Sequence, residues 1–259
     1  MTHDQIEGLP VGQHPLVTRL MKGAHNSRPP KPRYSVTWDV DIVVRYICSL
    51  GDNEGLSLKR LSHKLAILMA LVDASRTSEL AALDVQYRKF CPEGVSFKLA
   101  SLTKKRAPGI PPKEVFFGAY PPDRRLCVVQ CLKHYEDRTK EFRVNHQEGG
   151  TKLLLSYIKP HKPVTSQRIA HWIKIFLTEA GIDTSTFTAN SVRGASATAA
   201  MEKGVTLTDI LHTADWSSDT TFRRFYYRPV KDATYAHRVL TPNNDPGKAG
   251  RWHYLGLST

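Results

Sequence analysis

Residues 57–73, SLKRLSHKLAILMALVD, constrain the fold more than any other stretch, because Leu58, Leu61, Leu65, Leu68 and Val72 recur at intervals of three and four. That spacing gathers five apolar side chains on one helix face and leaves Lys59, Arg60 and Lys64 on the other. A helix of this kind must lie against a core. Its burial fixes what comes next: residues 77–83 resume as a short helix, so that Arg76 sits at the junction, held against the core by Leu80 and Leu83.

Around this helix the sequence alternates between helical and strand texture. Thr37 can cap a helix through Leu50 with Val40, Val43, Val44 and Ile47 on one face. Over residues 85–117 the pattern is that of strands, with VSFKLASL alternating and KEVFF closing after a Pro108-Gly109 turn signal. Lys104 is expected at the tip of that small sheet. Residues 126–138 are helical again, and residues 139–150 form a polar connection before the apolar run of residues 153–157. Thr165 or Ser166 then starts a helix with Ile169, Trp172, Ile173, Phe176 and Leu177 along one side, ended by Gly181. The expected fold class is mainly α with a small β-sheet (α+β).

Residues 190–227, NSVRGASATAAMEKGVTLTDILHTADWSSDTTFRRFYY, carry the chemistry. Residues 191–203 are rich in small helix-tolerant side chains, Thr206-x-x-Asp209 has the form of a capping box, and a third helix is expected around Phe222 to Tyr227. A guanidinium at Arg193, an indole N–H at Trp216 and a phenol at Tyr226 or Tyr227 can converge on one phosphate from successive short helices. Spacing alone does not require this, since such a set is also read as a surface charge and two core aromatics.

Charge points to the partner. Lys and Arg total 37 against 24 acids, a formal +13 that favours a polyanion such as nucleic acid. The excess is local: Lys98, Lys104, Lys105 and Arg106 form one acid-free run, and Arg223, Arg224, Arg228 and Lys231 form another. A solvated face is the bland alternative for either. Cys48, Cys91, Cys127 and Cys131 fit reduced thiols in an intracellular protein; Cys127 and Cys131 lie one turn apart but have no second ligand pair at finger-like spacing, so they are read as core-facing and no metal is expected. No run approaches eighteen uninterrupted apolar residues, and neither GxxxxGK[ST] nor HExxH is present, so no membrane association, nucleotide hydrolysis or zinc proteolysis is supported.

Four pieces in order carry a family resemblance: Ala74-Ser75-Arg76-Thr77-Ser78-Glu79-Leu80, Leu102-Thr103-Lys104, Asn190-Ser191-Val192-Arg193-Gly194, and Asp215-Trp216-Ser217-Ser218 running into Phe225-Tyr226. Over residues 34–228 the chain resembles the catalytic domain of the tyrosine recombinases, the phage-integrase family, and most closely those of Ngaro-like and DIRS-like retrotransposons and of Cryptons. The resemblance implies the tyrosine-recombinase catalytic-domain fold over residues 34–240, with a carboxy-terminal tail over residues 241–259. Residues 1–33 contain a possible short helix at 15–23 and the extended basic run RPPKPR, and are read as a linker or the remnant of an amino-terminal DNA clamp.

By resemblance, Arg76 and Arg193 clamp the phosphate, Glu79 braces the site, and Lys104, with Lys105 as the alternative, is the general acid for the leaving 5′-oxygen. Trp216 donates its indole N–H to the phosphate or packs behind the tyrosine helix. Tyr226, with Tyr227 as the alternative, is the nucleophile that leaves a 3′-phosphotyrosine link. Asn190 stands where the family usually has histidine; it can donate a hydrogen bond but cannot accept and pass a proton near neutral pH. Lys98, Lys105, Arg106, Arg223 and Arg224 are expected to line the duplex. No cofactor is implied. The partners implied are double-stranded DNA and further copies of the chain on two duplexes, in the nucleus. The alternatives are a cleavage-impaired, DNA-binding remnant and a basic helical protein-interaction scaffold.

Overall fold

A computed structural model of the chain describes residues 5–28, 36–99, 112–144 and 151–228. The candidate Lys104, Lys105 and Arg106, with the Pro108-Gly109 turn, lie outside the described residues, as do most of the basic linker and residues 229–259.

A short hairpin, β1 (Gln5–Ile6) and β2 (Leu9–Pro10), leads into helix α1 (Pro15–Ser27), which runs one turn beyond the expected end and buries no side chain of its own. Its His25 Nε2 meets the Arg224 guanidinium at 3.0 Å. Helix α2 (Val40–Ser49) begins two residues later than Thr37 predicts, because Asp39 takes the cap, its carboxylate accepting from the Asp41 N–H at 2.9 Å.

Helix α3 (Leu58–Val72), capped by Ser57, is the hub. It packs against α5 (Val128–Val144), α6 (Ser166–Glu179) and α7 (Ser191–Glu202), so residues 61–70 are buried around the whole circumference. Lys64 is therefore not on a solvent face as its position on the amphipathic wheel implies. It is fully enclosed, its ammonium donating to Asn53 Oδ1 at 2.8 Å, and burial holds its pKa below the ordinary lysine value. Each fully buried Leu on this helix contributes roughly 1.5–3 kcal/mol. At the far end the pattern also breaks: Val72 is exposed.

The chain leaves α3 through Ala74, at φ 46°, and starts α4 (Thr77–Ala82) at Arg76. An antiparallel sheet follows in the order β3 (Arg88–Cys91), β4 (Gly94–Lys98), β5 (Glu114–Gly118). Val95 pairs with Phe117 and Phe97 with Val115, and these four side chains form its core face. Helix α5 extends six residues past Arg138, because Arg143 donates to the carbonyl of Leu153 at 2.7 Å and pins the last turn to the apolar run of residues 153–157. Cys127 and Cys131 face the core, and burial pushes the Cys131 thiol up to about 12. Helix α6 is capped by Thr165 and ends before Gly181, at φ 90°.

After α7 come α8 (Leu207–Thr213) and α9 (Asp219–Phe225). Thr206 caps α8 as expected, accepting from the Asp209 N–H at 3.2 Å, although Asp209 returns its carboxylate to the Thr206 hydroxyl. These helices close over a second, smaller core of Ala74, Ala197, Ile210, Ala214, Trp216 and Phe222. Because Ala74 belongs to that core, the α3–α4 junction and helices α7, α8 and α9 meet in one place. Among the described residues no helix is long and apolar enough to cross a membrane.

Candidate active site

The meeting point of the two cores is a cluster of cations around one carboxylate. At the start of α4 the Arg76 N–H donates to Glu79 Oε2 at 2.9 Å and its guanidinium to Glu79 Oε1 at 2.7 Å. Lys113 Nζ, just ahead of β5, donates to the same Oε1 at 3.1 Å, and Arg193 Nη1, from α7, lies 3.9 Å from Oε2. Burial works to raise the Glu79 pKa, but the Arg76 N–H, Lys113 and the Arg76 guanidinium outweigh it and hold the carboxyl below its ordinary value.

Arg193 is buried, and its Nη2 donates to the Ala214 carbonyl at 2.9 Å. Burial first, and then Arg76 nearby, hold its pKa below the usual arginine value. Its Nε and Nη1, together with the indole Nε1 of Trp216, are buried donors with no hydrogen-bond acceptor among the described residues. Three such donors in one place can take an acceptor that the described side chains do not supply.

The aromatic groups complete the arrangement. The Trp216 ring stacks on Tyr226 at 4.2 Å and on Phe222 at 5.3 Å, while the Arg193 guanidinium carbon lies 5.2 Å from the Trp216 ring centre and 5.8 Å from that of Tyr226. Tyr226 is the residue just past α9, and Thr198 of α7 ties its backbone down by donating to the Tyr226 carbonyl at 3.3 Å and accepting from the Arg228 N–H at 3.1 Å. Tyr227 turns instead onto Phe222, with ring centres 5.6 Å apart. Asn190 is exposed at the head of α7 and makes no cap bond. It lines a cleft of about 170 Å³ shared with Thr37, Gly194, Tyr226 and Arg228, and a second of about 410 Å³ with Thr77, Gln167, His171 and Lys174.

The structure thus brings Arg76, Glu79, Arg193, Trp216 and Tyr226 together and sets Asn190 beside Tyr226. Of the expected duplex-lining residues, those described lie on two elements. Lys98 is exposed at the end of β4; Arg223, exposed on α9, pairs with Asp219 at 2.7 Å, and Arg224 meets His25. Three site residues were not anticipated. Lys113 shares the inward face of its strand with Val115 and Phe117, and a strict period-two reading of KEVFF would have found it. Asp215 approaches Arg76 and Lys113 from a left-handed turn at φ 52°. Asp73 accepts from the Ser75 hydroxyl, and burial pushes its carboxyl up to about 7 against that hydrogen bond. Among the described residues, no group of His, Cys, Asp and Glu is arranged to hold a metal ion.

Two solved structures share this arrangement of elements. XerA recombinase superposes over 86% of this chain and 73% of its own with a TM-score of 0.56 at 16% identity. The fold is that of the tyrosine-recombinase catalytic domain. XerH site-specific recombinase, solved in a pre-cleavage complex with its difH substrate, superposes over 81% of this chain with a TM-score of 0.55 at 12% identity. This chain spans 55% of XerH. No protein-family model matches the sequence, and no curated protein does.

In this tyrosine-recombinase fold Gly194 of α7 packs closely against the backbone of Tyr226. A Cβ there would sit 3.2 Å from the Tyr226 carbonyl oxygen. Gly194→Ala should push the Tyr226 backbone outward by a few tenths of an ångström. The family resemblance makes Tyr226 the nucleophile, and on that expectation covalent chemistry there should slow by about tenfold, because small misplacements of a reacting group cost up to about 10²-fold. Single-turnover rates on a nicked duplex measure this; an unchanged rate would mean that this approach does not set the tyrosine's position.

Proposed function

We propose that the protein cleaves and rejoins DNA strands through a 3′-phosphotyrosine link, as part of the recombination or integration of a mobile element in the nucleus, and acts as a multimer on two duplexes. The observation that carries the reading is the set of three buried donors, Arg193 Nε and Nη1 and Trp216 Nε1, without an acceptor among the described residues and beside the ring of Tyr226. A phosphodiester supplies acceptors of the right charge. Two guanidiniums match its oxygens and stay protonated at any working pH, so the charge that builds on the non-bridging oxygens is met without a proton transfer to them.

In this reading the Tyr226 hydroxyl gives up its proton to solvent, its oxygen bonds to phosphorus and the bond to the 5′-oxygen breaks, so the phosphotyrosine link stores the energy needed for rejoining. The leaving oxygen takes a proton from a lysine. Lys104 is the residue the family resemblance supplies; Lys113, on the inward side of its strand, is the one beside Glu79. The excess of 37 basic over 24 acidic residues supports a duplex partner.

Asn190 favours a second reading, a copy that binds DNA and does not cut. The two are separated by one experiment on a nicked duplex drawn from a random pool selected by the protein. Binding should weaken by roughly 0.9 log units per log of salt for each phosphate neutralised. A protein–DNA species surviving denaturation, formed with a metal chelator present, supports cleavage. Steep salt dependence without that species supports the second reading, and a slope near zero overturns both.

A further inference from the structure

The cations of the site do not face an empty space, because a carboxylate already stands against two of them. Asp215 Oδ2 lies 3.8 Å from Arg76 Nη1 and 4.0 Å from Lys113 Nζ. Glu79 also neutralises these groups, but it is buried and tied into the first turn of α4 by the Arg76 N–H, so it belongs to the scaffold. Asp215 is held differently. Its side chain is 29% exposed, and it stands in a left-handed turn between α8 and α9, one peptide bond from Trp216. Aspartate and asparagine tolerate that backbone better than most residues.

We infer that Asp215 is an internal competitor for phosphate: its carboxylate neutralises Arg76 and Lys113 when the site holds no DNA, and a phosphate binds by displacing it. This rests on the reading of the cluster as a phosphate site. The competition is selective, because Asp215 engages Arg76 and Lys113 while the orphan donors are on Arg193 and Trp216. A phosphate that reaches those donors gains what the carboxylate never had. A phosphate that merely passes Arg76 and Lys113 only exchanges one anion for another, so the device discourages loose backbone contacts at the reacting position.

Asp215→Asn tests this, since it removes the charge and keeps a side chain suited to the left-handed turn. A unit charge at about 4 Å, discounted for partial exposure and salt, corresponds to about a tenfold change in affinity. Asp215→Asn should therefore bind both inorganic phosphate and a short duplex about tenfold more tightly than the parent at the same ionic strength. Asp215→Glu should restore the parent's affinity. Asp215→Gly, which accepts positive φ freely, should match the Asn variant and covers a failure of that variant to fold. Affinity unchanged or weakened in a variant that melts like the parent overturns the competition. If inorganic phosphate shows the gain while no form binds DNA, the competition stands and the proposed function falls. If DNA binds with steep salt dependence and no variant gains, the function stands and the competition falls.

Discussion

Replacing Tyr226 by phenylalanine is expected to eliminate the covalent protein–DNA species while leaving the fold and DNA affinity nearly unchanged. Only one oxygen is lost, and the ring that stacks at 4.2 Å on Trp216 remains. The neighbouring substitution, Tyr227→Phe, is expected to leave the covalent species intact, because that ring packs on Phe222 and not against Arg193 and Trp216. The pair is informative since the two phenols are adjacent in sequence and differ only in which way the chain past α9 turns them. Denaturing gels of both variants on a nicked duplex read the result. A reversed outcome would shift the nucleophile by one residue, and persistence in the double variant would remove tyrosine from the chemistry.

Arg193→Met should lower the rate of covalent linkage by about 10²- to 10³-fold, the range for removing one preorganised donor from a site of developing charge. The same substitution should change thermal stability far less than it changes the rate. Arg193 is buried beside a second guanidinium, two of its nitrogens have no acceptor among the described residues, and burial already works against its charge. The Ala214 carbonyl loses its donor in this exchange, but Glu79 keeps Arg76 and Lys113, and one of two neighbouring positive charges is removed from the interior. A structural arginine behaves in the opposite way, losing stability first and activity only in proportion. Melting curves alongside single-turnover rates separate the two, and a large stability loss with an unchanged rate would contradict a phosphate-binding role for Arg193.

Whether a residue's place is legible in the sequence depends on whether its neighbours are local. Arg76 was legible because an amphipathic helix, a break and a short second helix leave it at a junction, and those are near-neighbour patterns. The same reasoning misplaced Lys64. A one-faced helix is the expectation for a helix at the surface, whereas α3 is enclosed by α5, α6 and α7, so its polar side is also inside and Lys64 finds Asn53 there. Lys113 and Asp215 join the cluster across gaps of 34 and 136 residues from Glu79, and nothing in either local sequence announces the carboxylate or the cations they meet. The order of Arg76, Arg193, Trp216 and Tyr226 was legible only through the family resemblance. Their convergence needed the turn at Asp215 and the close approach at Gly194, which are backbone facts that composition and periodicity do not carry.

The most direct test of strand cleavage by this site is to identify the amino acid joined to DNA. A nicked duplex that releases a short strand on cleavage should leave the protein linked to a 3′-phosphate, and proteolysis followed by mass spectrometry should place the nucleotide on Tyr226. Formation of the link should persist with a metal chelator present. A nucleotide on any other residue, or no linked peptide from a protein that binds the same duplex, would contradict the assignment of the cluster around Arg76, Arg193 and Tyr226 as a strand-cleaving site.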